Sequence, residues 1–223
     1  MNKPFLKLIQ TGSTAEVADA VKDDPSLAHW CDPQGVSALL WSIYSGQQLV
    51  REFLLSSLFA QAVDLDIFEA AAAGDNERLL AILHANPSAV QAFSDDGWTP
   101  LHLAAAFGTP AAVATLLNHG AEVDAVSSNP QRNRALHAAL ALSGNLETVK
   151  LLLEHGADAN AVQAGGFTPI FSAAAANRRD FAELLLVHGA HPRPKSDQGK
   201  TPSDFARERG HAELAAWLDS QPA

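Results

Sequence analysis

Four features of this chain could do chemistry. Nine histidines stand beside 25 aspartates and glutamates, a mixture that raises a metal centre. Asp95 and Asp96 are adjacent acids, the residue type of a general acid–base pair. His29 and Cys31 stand two residues apart, as a base and a thiol nucleophile could. Gly199-Lys200-Thr201 matches the end of a phosphate-cradling loop. Three of these weaken on inspection. Two adjacent acids in a turn form a solvated corner or a docking point more readily than a catalytic pair. The thiol has no third group to orient its base, so a buried, inert Cys31 is expected. The phosphate loop needs a glycine where this sequence has Pro194.

The histidines are not scattered. His102 and His137 each follow a leucine, and His119, His155 and His188 each precede Gly-Ala. They mark a repeat. The clearest copy runs Asp96-Gly97-Trp98-Thr99-Pro100-Leu101-His102-Leu103-Ala104-Ala105-Ala106-Phe107-Gly108, then Val113-Ala114-Thr115-Leu116-Leu117-Asn118-His119-Gly120-Ala121. The frame returns at Ala135-Leu136-His137 with Leu151 to Asn160, at Gly166-Phe167-Thr168-Pro169-Ile170 with Leu184 to Ala190, and at Gly199-Lys200-Thr201-Pro202. The first half is more divergent. Even so, Gly12, Pro25, Ser26, Gly35 and Gly46 recur 62 residues on as Gly74, Pro87, Ser88, Gly97 and Gly108.

This pattern resembles the ankyrin repeat, known by Thr-Pro-Leu-His, two alanines and a later Leu-Leu with Gly-Ala. The resemblance implies an all-α ankyrin-repeat α-solenoid, in which stacked helix-turn-helix units carry short β-hairpin fingers. Seven units are expected, over 1–31, 32–63, 64–93, 94–126, 127–162, 163–195 and a C-terminal cap at 196–220, giving about fourteen helices. Polar residues in the first unit (Lys3, Lys7, Glu16, Asp19, Lys22) and the last (Arg207, Glu208, Arg209, Glu213) suit terminal caps. A complete protein is therefore expected.

The motif has physical reasons. Thr99 can cap a helix with its hydroxyl, and Pro100 fits the first helical position. Ala104 and Ala105 let two helices approach closely. Gly108 and Gly120 are expected to end helices in the left-handed region, and Asp24 and Asn86 take the place of Gly120 in units one and three. Neither helix of a unit can bury its apolar stripe alone, so neighbours must stack. In that frame the histidines read as structural: His102 and His137 as ties to the backbone and the next unit, the other three as helix-end residues. Stacked helices lie roughly 8–10 Å apart, while zinc needs its ligands at about 2 Å. No metal or cofactor is expected.

Two places break the pattern. From Gln47 to Ala73 there is no Gly, Pro or Asn, and the unit spacing shrinks to 28 residues between positions 37 and 65. The second helix of unit two should run almost directly into unit three, with no finger between Ser56 and Asp66. Unit five has a long finger, Ser127 to Arg134, and one extra residue between His137 and Gly144. Arg134-Ala135 stands in place of Thr-Pro, so no threonine cap is assumed there.

Composition bounds the partners. The net charge is −10; residues 64–126 hold nine acids against Arg78 alone, a balance of −8. Such a chain is poorly suited to neutralising phosphates, so nucleic acid is not expected. No signal sequence and no membrane-spanning run is visible, and with one cysteine, Cys31, a cytoplasmic protein is expected. In the resembling family, finger tips and first helices form a concave surface that holds protein partners. The variable positions there give Asp95, Asp96, Trp98, Phe107, Tyr44 and Phe167. Aromatic anchors are typical of binding hot spots. Trp41 and Trp217 fall on core positions and are left out. Arg132 and Arg134, in the long finger, form the rival site.

The expected function is a non-catalytic protein–protein interaction module: a monomeric adaptor, inhibitor or stabilising partner that meets a basic, partly apolar protein face. One alternative is an effector acting on a foreign target protein. The alternative of another class is a metal-dependent or hydrolytic enzyme on a solenoid. It would need a cleft of convergent titratable groups, and the repeat frame already accounts for each candidate.

Overall fold

A computed structural model describes residues 3–222 of the chain, with the side chain of Lys3 and all of Met1, Asn2 and Ala223 outside the described residues. The cap role of Lys3 therefore lies outside them too. Among the described residues there are fourteen α-helices and no sheet. They are α1 (Lys3–Thr11), α2 (Thr14–Asp23), α3 (Ala38–Tyr44), α4 (Gln48–Ala60), α5 (Ile67–Ala73), α6 (Asn76–Ala85), α7 (Pro100–Phe107), α8 (Pro110–Asn118), α9 (Ala135–Ala138), α10 (Leu146–Glu154), α11 (Pro169–Ala175), α12 (Arg179–Val187), α13 (Pro202–Glu208) and α14 (Ala212–Ser220).

The odd-numbered helices pack on one another in an inner row; in the outer row α2 packs on α4, and α6, α8, α10 and α12 pack each on the next. Alanine makes the inner row tight. Ala70, Ala71 and Ala72 on α5 and Ala104 and Ala105 on α7 are almost wholly buried, so two backbones meet with no long side chain between them. Leucines and valines such as Leu79, Val113, Leu116 and Leu152 fill the space between the rows. Several helix starts are capped, Thr99 as the sequence implies. Ser37 Oγ accepts from the Leu40 N–H, Thr99 Oγ1 from the His102 N–H, and Asp66 forms a capping box with Glu69.

The fingers are tight turns with isolated bridges at Cys31–Ser37 and Gln163–Phe167. Each of the last three hangs on the one before. The Ser128 N–H donates to the Gly97 carbonyl, Ala164 to Gln131, and Asp197 to Gly165, all at 3.0 Å. Between α4 and α5 there is no finger. α4 runs to Ala60, and a short connector leads into α5. The extra residue of the fifth inner helix also has a place. α9 continues as a π-helical turn over Ala139–Ser143, where the Gly144 N–H reaches back to the Ala139 carbonyl at 3.1 Å. A one-residue insertion is absorbed this way without breaking a helix.

Three expectations about chain reversals need correction. Gly108 is not left-handed: its φ is −81°. A glycine is needed there because a Cβ would collide with the Ala71 carbonyl oxygen of the neighbouring inner helix and with Ala104. Asp24 and Asn86 are not left-handed either, with φ of −137° and −142°. Each opens a 3-10 turn, over Pro25–His29 and Pro87–Gln91, and bonds the serine two residues on. Gly120, in contrast, has φ +86° and open space around it.

The two glycines should therefore respond differently to the same substitutions. Gly120→Ala is expected to cost about 1–2 kcal/mol through backbone strain, and Gly120→Asn much less, since asparagine tolerates the left-handed region. Gly108→Ala is expected to cost roughly 1–3 kcal/mol by overpacking, and Gly108→Asn at least as much. Urea unfolding of the four variants checks this. An asparagine that rescues position 108 would show that crowding is not the constraint there.

Candidate functional site

The lost finger shapes the surface. With none between α4 and α5, the 31–37 finger meets the 94–98 finger directly, and the Asp95 carboxylate lies so close over Gly35 that a Cβ there would overlap it. α3 and α7 also meet on this side. Tyr44 at the end of α3 packs on Phe107 at the end of α7, ring centroids 5.3 Å apart, and its hydroxyl donates to Asp96 Oδ2 at 3.0 Å. Trp41, one helical turn before Tyr44, meets its ring edge-on at 6.1 Å. Its indole N–H donates to Asp32 Oδ2 at 2.9 Å, while Asp32 Oδ1 accepts the backbone N–H groups of Gln34 and Val36.

These rings floor an open groove of about 690 Å³. Trp98, half-buried, stands on its wall with His102 behind it, 5.6 Å away in an edge-on contact. The next fingers add Asn129, Gln131, Asn133 and Gln163, and the π turn adds Ala141 and the exposed Leu142. Asp32 and Asp96 are the acids in the lining, which includes no lysine or arginine.

Five of the nine histidines, those of the repeat columns, make contacts within the fold. His102 is fully buried. Its Nδ1 lies 2.7 Å from the Thr99 hydroxyl and its Nε2 3.1 Å from the Asn133 carbonyl oxygen. That arrangement fits a neutral ring with the proton on Nε2, tying α7 to the next finger. Burial pulls its pKa down to about 4, against the opposing pull of the Asn133 carbonyl. His137 repeats the position in α9. Burial again lowers its pKa to about 4, and its Nε2 lies near the Phe167 carbonyl without a well-formed hydrogen bond. His119, His155 and His188 each place Nδ1 within 2.8–2.9 Å of the carbonyl four residues back. Tyr44 is held protonated, its pKa raised first by burial and then by Asp96.

The structure brings Tyr44, Asp96, Trp98 and Phe107 together in this groove. Other candidates lie elsewhere. Asp95 faces an adjoining depression with Asp66, Glu69 and Cys31. Phe167 belongs to a triangle with Phe171 and Phe205, all centroids 5.3 Å apart. Arg132 is an exposed finger tip with φ +49°. Arg134 is tied inward, donating from Nη1 to the Val162 carbonyl at 3.2 Å and lying 3.8 Å from Asp124.

Two expectations change. Trp41, expected in the core, packs against it only half-buried and lines the groove, and Trp217 is half-buried too, beneath the Arg179 guanidinium. The spacing of three between Trp41 and Tyr44 was the signal, because both then share one helix face. Cys31 is exposed rather than buried. Its thiol pKa is raised by partial burial first and then by the nearby acids, Glu69 foremost, which disfavours the reactive thiolate. Among the described residues no group of three or more histidines, cysteines or acids is placed to hold a metal ion, and no helix is long and apolar enough to cross a membrane.

A family model described as ankyrin repeats (three copies) matches residues 67–163 and 141–221. Curated relatives share parts of the chain. ARF GTPase-activating protein GIT1 of Homo sapiens is 45% identical over 87 residues, covering 39% of this chain and 11% of that protein. The B-cell lymphoma 3 protein homolog of Mus musculus is 33% identical over 144 residues, 58% of this chain and 32% of that protein. Ankyrin repeat and SOCS box protein 16 of Mus musculus is 40% identical over 115 residues, 48% and 25% respectively. The chain thus spans from about a tenth to a third of the length of these relatives.

The buried histidines predict how stability follows pH. Their folded values lie near 4, below the ordinary 6.5. Their contribution is complete above pH 6.5 and is lost as pH falls towards 4, because the unfolded chain takes up protons that the folded chain refuses. The loss is up to ~3 kcal/mol per ring. His102→Gln should lower stability at pH 7 and flatten the dependence between pH 6.5 and 5, above the range of most carboxylates. Urea unfolding across that window checks it, and an unchanged slope would mean that His102 is not held neutral.

Proposed function

This chain belongs to the ankyrin-repeat family, whose members generally act as binding modules rather than enzymes, and from that premise we propose that it is a non-catalytic, monomeric protein-interaction module acting in the cytoplasm as an adaptor, inhibitor or stabilising partner. The partner is a protein with a basic, partly apolar face. One observation carries this reading: the groove joins half-buried aromatic rings to two carboxylates in a lining with no lysine or arginine. Such rings offer contact area at little entropic cost, and the acids select the sign of the partner's charge.

Within that surface Trp98 is proposed as the anchor, with Phe107, Tyr44 and Asp96 beside it, and Asp95, which faces the adjoining depression, as a charge at the rim. Phe167, in its separate aromatic triangle, is proposed as a secondary contact. Arg132 and Arg134 remain the rival site, one that would take an acidic partner, and the tying of Arg134 to Val162 and Asp124 speaks against it. The relatives, being partial matches, supply no partner.

Affinity purification with the full chain as bait, followed by mass spectrometry, identifies the partner, and surface plasmon resonance then assigns the surface. Trp98→Ala is expected to weaken binding by roughly 2 kcal/mol or more, the level of a hot spot. Asp95→Asn with Asp96→Asn should mainly slow association and flatten its salt dependence. Wild-type affinity in Trp98→Ala, with loss in Arg132→Ala plus Arg134→Ala, would move the site to the long finger.

A further inference from the structure

We infer that the ligand of the groove is an extended segment bearing a lysine, whose ammonium lies on the aromatic floor beside Asp96 while the finger carboxamides hold the segment's backbone. This rests on the interaction reading and names its ligand class. Trp41, Tyr44, Trp98 and Phe107 line the groove, and an aromatic ring attracts a cation to its face. The field is negative, since the lining holds two acids and neither lysine nor arginine, and residues 64–126 carry −8. That charge complementarity selects a cationic side chain over an aliphatic one.

The carboxylates also decide which cation. Each already has both oxygens engaged. Asp96 Oδ1 accepts from Ser94 and Oδ2 from Tyr44. Asp32 Oδ1 accepts two backbone N–H groups and Oδ2 accepts from Trp41. Asp32 keeps one acceptor site and Asp96 one on each oxygen, so a guanidinium fork would have to share both Asp96 oxygens with Ser94 and Tyr44. An ammonium needs only one such site, and its three N–H groups need no planar partner.

The fingers supply the second half of the recognition. Gln34, Asn129, Gln131, Asn133 and Gln163 all line the groove. A carboxamide both donates and accepts, so it can meet a peptide group on either side. Asn133 is buried, and its Oδ1 has no partner within the protein. A buried acceptor in that condition is costly unless something reaches it. An extended segment brings free backbone N–H and C=O groups to the accessible carboxamides of the lining, whereas a helix has its own already engaged; Asn133 Oδ1 itself is enclosed.

The test uses the immobilised full chain and short randomised peptide pools that differ only at a fixed central residue: lysine, arginine or norleucine. The lysine pool should be retained about threefold to fivefold over norleucine, the size of an exposed cation–π contact, and more than the arginine pool. Asp96→Asn, which leaves Tyr44 an acceptor, should erase the preference for lysine. Trp98→Ala should reduce retention of every pool, while Phe59→Ala, exposed at the end of α4 and outside the groove, should leave retention unchanged. Circular dichroism of each variant establishes that it is folded. Equal retention of lysine and norleucine overturns the cation site, and arginine matching lysine overturns the choice of ammonium. If no pool is retained but a folded partner still binds through Trp98, the peptide ligand is wrong and the interaction reading stands. If neither is retained, both fall.

Discussion

Everything in this molecule depends on two inner helices meeting backbone to backbone. The alanines of α5 and α7 bring the helices so close that the Ala71 carbonyl oxygen occupies the space a side chain at position 108 would need. A helix pair with such a flat face buries too little alone to offset the entropy of ordering it, so it is stable only against a neighbour. Close stacking in turn fixes the fingers. Because α7 and α9 are held together, the Thr99–His102 cap lies within hydrogen-bond reach of the Asn133 carbonyl. The groove is thus positioned by helix packing and by the ties between fingers.

The two irregularities of the repeat are what give this solenoid a surface of its own. A regular array would place a finger between α4 and α5. Its loss lets α3 meet α7 at their ends and brings Tyr44 onto Phe107 and Asp96 across a whole unit. The inserted residue in the fifth inner helix is absorbed as a π turn, and Ala141 and Leu142 come to line the other end of the same groove. Both departures from the template therefore act on one site. π turns inside helices are frequently functional, and here the turn sets Ala141 and the exposed Leu142 along the groove.

What was legible in the sequence follows the local or remote origin of each feature. The helices were readable because capping residues, alanine pairs and Leu-Leu stripes are local signals. The short spacing after unit two and the extra residue before Gly144 were readable as counts. Their consequences were not. That Trp41 would border a groove depended on a neighbouring finger being absent, and the motif column it occupies is ordinarily core. The error at Gly108 has the same origin. A glycine ending a helix reads as a left-handed residue, yet the constraint here came from Ala71, which is remote in sequence. The exposure of Cys31 has a similar origin, since the thiol borders the open depression where a finger is missing.

Electrostatics and packing cooperate at this surface in a way that neither explains alone. Asp96 accepts from Ser94 within its own finger and from Tyr44 on α3, so it is both a brace and a source of negative potential. Asp32 does the same for Trp41 and for the turn at Gln34 and Val36. A carboxylate fixed by its own finger loses little entropy on binding, and a ring oriented by that carboxylate is pre-set to receive a partner. The groove thus has its aromatic faces and its charges locked to one another before any ligand arrives. Preorganisation of this kind favours affinity through fewer degrees of freedom lost rather than through more contacts made. It also explains why an open, shallow surface with few charged groups can still be selective: the sign of charge and the geometry of the acceptors are set by the fold, not by side chains free to adapt.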